Sequence, residues 1–68
     1  MPSSVIRRYR YDEAQSRLEI DFVSGETYSY FAVPTEIIAG LKEAFSKGRY
    51  FQEHIRDRYE YRRERPAA

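Results

Sequence analysis

The sequence predicts an α+β fold in which a three-stranded antiparallel β-meander precedes an amphipathic helix and a second short helix, both packed on one sheet face. Two patterns indicate it: apolar and charged residues alternate over residues 17–23, and apolar residues recur at three- and four-residue spacing over residues 37–45. The chain has 68 residues and no cysteine, so one compact core must stabilise it without disulfides. A single domain over residues 4–63 and a flexible tail over residues 64–68 are expected.

The first strand is predicted over residues 5–11. Val5, Tyr9 and Tyr11 share one parity, as the apolar face of a strand requires, although Arg7 interrupts that face. Residues 12–16 are polar, and Asp12 can hydrogen-bond the backbone just beyond it, so a turn is expected there.

The second strand has the clearest pattern in the chain. Leu18, Ile20 and Phe22 alternate with charged residues, which predicts one apolar and one charged face. The third strand follows the glycine turn at residues 23–25 and contains period-2 tyrosines at residues 28 and 30.

Two hairpin registers are compatible with this turn, and the hydrophobic pattern chooses between them. A two-residue loop would place Tyr28 and Tyr30 on the charged face of the sheet. A three-residue loop with Gly25 in the left-handed conformation pairs Ile20 with Tyr28 and Leu18 with Tyr30. The second register is expected, because cross-strand pairing of aromatic and aliphatic side chains stabilises the sheet by roughly 0.2–1 kcal/mol per pair.

Proline 34 marks the start of the first helix, because its fixed φ suits the first helical position. The apolar stripe of this helix is predicted to run to Phe45, and Gly48 is predicted to end the helix. A second short helix is then expected, with an apolar face formed by Tyr50, Phe51, Ile55 and Tyr59. Residues 62–68 lack apolar periodicity and are predicted to be frayed.

Twelve basic and eleven acidic residues nearly cancel, so the chain does not have the excess charge with which a protein binds polyanions by bulk charge alone. The arginines nevertheless cluster near the two ends of the chain. Arginine suits phosphate recognition because its planar group donates several hydrogen bonds. Acidic residues interleave with the late cluster at helical spacing, so a self-neutralised surface and a binding surface both stay open.

No catalytic, metal or cofactor site is expected. His54 is the only histidine, whereas a metal site normally recruits several ligands. Glu19 and Asp21 share one strand face, but Arg17 and Thr27 nearby favour a solvated, paired face over acid–base chemistry. The glycines form neither a nucleophile elbow nor a phosphate-binding loop.

The order of the motifs along nearly the whole chain resembles the KTSC domain, a module of about sixty residues named for its occurrence at the C-terminus of some lysyl-tRNA synthetases. Gln52 departs from the family pattern, in which asparagine is expected. The motifs that carry the resemblance are Tyr11-Asp12, Leu18-Glu19-Ile20-Asp21-Phe22, Gly25, Tyr28-Ser29-Tyr30, Val33-Pro34, Ser46-Lys47-Gly48-Arg49-Tyr50-Phe51, Ile55-Arg56 and Tyr59.

The resemblance implies RNA binding as one function, since the module is fused to synthetases. Under this hypothesis Arg49, Arg56 and Arg58 contact phosphates, while Tyr50 or Tyr59 stacks on a base. The other interpretation is that Tyr50 simply anchors the second helix. The family tyrosines at positions 28 and 30 are expected to be structural, because the chosen register points both into the core.

A protein-interaction or assembly module is the alternative hypothesis. Phe31 and Val33 fall on the side of the third strand opposite the two tyrosines, where they would form a modest apolar patch for a partner. A free sheet edge would serve the same purpose. Arginines follow the first few residues closely and leave no apolar stretch long enough for a signal peptide or membrane span, so a cytoplasmic protein is expected. The oligomeric state is left open, with a monomer as the default.

Overall fold

The computed structural model describes residues 6–66. The predictions for Val5, for the domain boundary at Ser4 and for the last two residues lie outside this range. The elements in chain order are β1 (Ile6–Asp12), β2 (Arg17–Phe22), β3 (Thr27–Tyr30), α1 (Thr35–Glu43), α2 (Lys47–His54) and β4 (Tyr61–Arg65).

All four strands form one antiparallel sheet in the order β1-β2-β3-β4. The predicted α+β class and the β1-β2-β3 meander are confirmed. Because the order follows the sequence, β1 and β4 are the two edges of the sheet.

The predicted hairpin register is also confirmed. Ile20 pairs with Tyr28 and Leu18 with Tyr30. At the turn, the Phe22 amide donates to the Glu26 carbonyl at 2.8 Å, and Gly25 has a φ of 97°. Glycine is favoured here because a side chain is strained at that φ.

The core lies between one sheet face and the two helices. Side chains from β2 and β3 meet side chains from the helices and the connecting segments, and they are nearly inaccessible to water. The buried apolar residues are Leu18, Ile20, Phe22, Tyr28, Tyr30, Val33, Leu41, Phe51 and Ile55.

The prediction that residues 62–68 lack regular structure is wrong for residues 62–65, which belong to β4. Pairing with β3 begins just before the strand, where the Phe31 amide donates to the Glu60 carbonyl at 2.9 Å. All five β4 side chains are exposed, so the strand carries no apolar alternation. Its backbone hydrogen bonds to β3 stabilise it instead.

The predicted apolar patch at Phe31 and Val33 is also wrong, because Val33 is fully buried in the core. Ala32 has a positive φ of 58°, so the chain turns out of the strand before Val33. The Val33 amide donates to the Ser16 carbonyl at 2.9 Å, and the Tyr11 hydroxyl donates to the Val33 carbonyl at 2.7 Å.

The boundary between the helices differs from the prediction. The first helix ends at Glu43, and Gly48 lies inside α2 instead of ending α1. Phe45, predicted to face the core, is fully exposed in the short connection. Ser46 caps α2, because its Oγ accepts a hydrogen bond from the Arg49 amide at 3.2 Å.

Candidate functional site

Tyr50 lies between the two helices. Its hydroxyl donates to the Ile37 carbonyl of α1 at 2.9 Å, and its ring lies against His54 with the ring centroids 4.4 Å apart. A Cβ atom at Gly40 would overlap the Tyr50 hydroxyl, so the glycine makes this contact sterically possible. Burial raises the pKa of Tyr50. The tyrosine therefore anchors α2 to α1, and His54 occupies part of the ring surface that a base would need.

Arg49 is highly exposed, with 80% of its side chain accessible. Its Nε atom lies 3.5 Å from Glu53 Oε2 one helical turn later. Exposed pairs of this kind contribute at most about 1 kcal/mol to stability. The guanidinium can therefore exchange Glu53 for another anion at little cost in free energy.

Arg56 and Arg58 lie in the turn that connects α2 to β4. Arg56 is 28% exposed, and its Nε lies 3.8 Å from Asp57 Oδ2. Arg58 is exposed and forms no ion pair with another residue of the range 6–66. Tyr59 is partly buried against the core, so it presents less ring surface than the RNA hypothesis expects.

A stackable ring that sequence reasoning missed lies at Tyr61 in β4. Its side chain is 56% exposed, and its ring centroid lies 5.6 Å from that of Tyr28 and 5.8 Å from that of Tyr30. The pairing of β4 with β3 brings this tyrosine to the others. Because residues 62–68 were predicted to be frayed, no cross-strand position was available to place Tyr61 from the sequence.

Tyr28 and Tyr30 lie in the core, as predicted, and form an aromatic cluster with Tyr61. They are 8% and 2% exposed, and their rings stack with centroids 6.2 Å apart. Burial, followed by the neighbouring tyrosines, raises the pKa of Tyr30, while the charge of Arg56 acts in the opposite direction. Burial also raises the pKa of Tyr28, and Arg63, its partner in β4, opposes that shift.

Arginines of the α2-β4 turn and of β4 therefore accompany this tyrosine cluster, since Arg56 opposes the rise that burial causes in the pKa of Tyr30 and Arg63 opposes that of Tyr28. We call Arg56, Arg58, Tyr61 and Arg63 the basic edge. Among residues 6–66, neither Arg58 nor Arg63 has an ion-pair partner. The only ion pair that a residue of the basic edge forms within this range is the 3.8 Å contact from Arg56 to Asp57. Of the five predicted contact residues, the structure places Arg56 and Arg58 here, and Arg49 and Tyr50 on α2.

The sheet face opposite the helices is polar, and its charges are paired. Asp21 accepts hydrogen bonds from Arg8 Nε at 2.8 Å, from Arg10 Nη1 at 3.0 Å and from Thr27 Oγ1 at 2.8 Å. Hydrogen bonds from Arg10 and then Arg8 lower the pKa of Asp21 well below its usual range. Glu19 also pairs with Arg10. The solvated, paired face predicted for Glu19 and Asp21 is present, with arginines from β1 as the main partners.

Ser29 lies on the same polar face, beneath the charged layer. Its Oγ is buried and has no hydrogen-bond partner within the described part of the chain. Nearby in β4, Arg62 donates two hydrogen bonds to Glu64, at 3.1 and 2.9 Å, and these lower the pKa of Glu64.

Residues 6–66 contain no group of three histidine, cysteine or acidic residues that could hold a metal ion. No helix in this range is long and apolar enough to cross a membrane.

Comparison with known proteins gives a consistent family assignment. The chain is 40% identical over 58 residues to a lysine–tRNA ligase of Trichormus variabilis, and the match covers 85% of the chain but 10% of the ligase. It is 45% identical over 53 residues to an uncharacterized protein of Stutzerimonas stutzeri, covering 78% of the chain and 75% of that protein.

A solved structure agrees with this assignment. The crystal structure of a KTSC domain protein from Yersinia pestis superimposes with a TM-score of 0.83 at 34% identity, covering 93% of the chain and 92% of that protein. The KTSC domain family itself matches residues 2–59. The chain therefore belongs to the KTSC domain family, as its motifs predict.

Proposed function

We propose that the domain binds RNA through the basic edge and takes no part in catalysis. The observation that supports this function best is the half-exposed Tyr61 ring, which packs against Tyr28 and Tyr30. Two arginines lie close to these buried rings, Arg63 opposite Tyr28 and Arg56 near enough to Tyr30 to oppose the rise that burial causes in its pKa. A fixed aromatic ring beside guanidinium groups suits a nucleobase and its phosphates. The lysine–tRNA ligases that match the chain make tRNA a reasonable first RNA to test.

The unpaired charges of the basic edge favour a binding surface over a self-neutralised one. Arg58 and Arg63 have no acidic partner among residues 6–66, so a phosphate would not have to displace one. On the polar sheet face, by contrast, Asp21 and Glu19 already engage Arg8 and Arg10. The basic edge is therefore the better phosphate-binding surface, although the net charge of the chain is only +1.

The experiment is a titration of labelled tRNA and of an unstructured oligoribonucleotide with the purified domain at two salt concentrations. We expect saturable binding that weakens at the higher salt, because phosphate contacts release counterions. Arg58→Ala and Tyr61→Ala should weaken it. Arg7→Ala is the matched control, because Arg7 is exposed on β1 at the opposite sheet edge. Absence of saturable binding near physiological salt would exclude this function.

Protein interaction is the second candidate, and the free edge of β4 favours it. An edge strand offers unpaired backbone groups to a partner strand. However, four of the five β4 residues are charged, which opposes edge-to-edge pairing. A complex that persists at high salt and forms without RNA would favour this candidate over RNA binding.

A further inference from the structure

Phe45 is a second exposed aromatic residue, at the opposite end of α2 from the basic edge. Its side chain is fully accessible, whereas Tyr61 is 56% exposed. The backbone on both sides is fixed: the Ala44 amide donates to the Leu41 carbonyl at 3.3 Å, and Ser46 caps α2. The ring is therefore presented to solvent from a short, well-anchored connection and contributes nothing to the core.

An open groove of about 710 Å³ lies beside this ring. Its lining carries two cations, Lys47 and Arg49, and the single carboxylate of Glu53. The uncharged residues beside Phe45 are Ile6, Ser46, Gly48 and Gln52. Arg49 is highly exposed and holds Glu53 only through a 3.5 Å contact. The groove thus combines an aromatic ring with basic side chains, as the basic edge does.

The exposed face of α2 connects the two surfaces. Arg49, Gln52 and Glu53 are exposed and lie on one side of the helix at three- and four-residue spacing, and Arg56 continues this spacing into the turn. The eight residues of α2 span about 12 Å. Phe45 and the basic edge are therefore at opposite ends of one short, mostly polar helix face.

We infer that this groove binds an unpaired RNA segment, with one nucleobase stacked on Phe45 and the adjoining phosphates held by Lys47 and Arg49. The inference rests on the proposed RNA-binding function and extends it to a particular class of RNA. A base is available for stacking only where it is unpaired, in single strands, loops, bulges or ends. The two cations at the groove favour a polyanion over an apolar partner for the same ring.

The first test compares an unstructured oligoribonucleotide with an RNA duplex of equal length, using wild type and Phe45→Ala. We expect wild type to prefer the single strand, and Phe45→Ala to lose about five-fold or more of that affinity, as base stacking predicts. Phe45→Trp should retain it. Val23→Ala is the matched control, because Val23 is exposed outside the groove, in the β2-β3 turn. Thermal unfolding of each variant checks that the fold is retained.

The second test changes the charge in the groove. Glu53→Gln removes the carboxylate that competes with phosphate for Arg49, so affinity should increase, whereas Glu13→Gln in the β1-β2 turn should leave it nearly unchanged. Arg49→Ala should reduce the log–log salt slope by about 0.7, the value for one single-strand phosphate.

The outcomes separate this inference from the function on which it rests. If no RNA binds to wild type, both fail. If RNA binds, and Arg58→Ala weakens it but Phe45→Ala and Glu53→Gln do not change it, the RNA-binding function stands and the Phe45 groove is overturned as its site. Equal affinity for duplex and single strand also contradicts the inference.

Discussion

Gly40 leaves the space that the Tyr50 hydroxyl fills when it donates to the Ile37 carbonyl at 2.9 Å. This contact between the two helices requires glycine, since a Cβ on residue 40 would overlap the tyrosine ring. We therefore expect Gly40→Ala to destabilise the domain by about 1–3 kcal/mol, although alanine favours an isolated helix by about 1 kcal/mol. Urea unfolding measures this change.

The double variant provides the control for this prediction. With Tyr50→Ala the obstructing ring is gone, so adding Gly40→Ala should cost nothing or stabilise the helix. A Gly40→Ala variant that is more stable than wild type in the presence of Tyr50 would contradict the contact.

Asp21 should make stability depend on pH in acid. Its pKa is lowered in the folded state by hydrogen bonds from Arg10 and Arg8, so its stabilising effect is present above the unfolded-state pKa and is lost as pH falls through the folded-state value. The unfolding free energy should therefore decrease below about pH 4. Urea unfolding as a function of pH measures it.

Removal of the Asp21 charge tests the cause of that acid sensitivity. Asp21→Asn should cost about 1.5–3 kcal/mol at neutral pH, the usual value for hydrogen bonds to a charged group, and should flatten the acid limb. Glu13→Gln, in an exposed turn, is the control. An acid limb that is unchanged in Asp21→Asn would assign the sensitivity to other carboxylates.

Ser29 and Thr27 form a matched pair on β3, since both are buried on the polar sheet face. Ser29 Oγ has no partner among residues 6–66, whereas Thr27 Oγ1 donates to Asp21 at 2.8 Å. Ser29→Ala should be neutral or stabilising, while Thr27→Val should cost about 1 kcal/mol. Thermal unfolding of both variants distinguishes them. A marked loss of stability in Ser29→Ala would show that its hydroxyl is bonded, with Glu64, whose pKa is lowered by Arg62 and then by Ser29, as the acceptor to examine.

The sequence predicts the elements whose side-chain pattern matches their burial. Alternation in β2 and the turn at Gly25 are sufficient to place Tyr28 and Tyr30 in the core, and the structure agrees. The strand β4 has no such pattern, because all its side chains are exposed and backbone pairing with β3 stabilises it.

Two local backbone features could not be predicted from the spacing of apolar residues. The positive φ of Ala32 turns Val33 into the core, and Ser46 starts a new helix that leaves Phe45 in solvent. In the candidate site, Arg56 and Arg58 could be named from the late arginine cluster and the family resemblance. Tyr61 could not, because its position depends on β4.

The salt dependence of RNA binding tests the central claim most directly. The association constant of wild type, Arg58→Ala and Arg7→Ala for one unstructured oligoribonucleotide would be measured over a series of salt concentrations. We predict a negative log–log slope for wild type, a slope smaller in magnitude by about 0.7 for Arg58→Ala, and a wild-type slope for Arg7→Ala. Binding that does not change with salt, or equal slopes for all three proteins, would contradict RNA recognition by the basic edge.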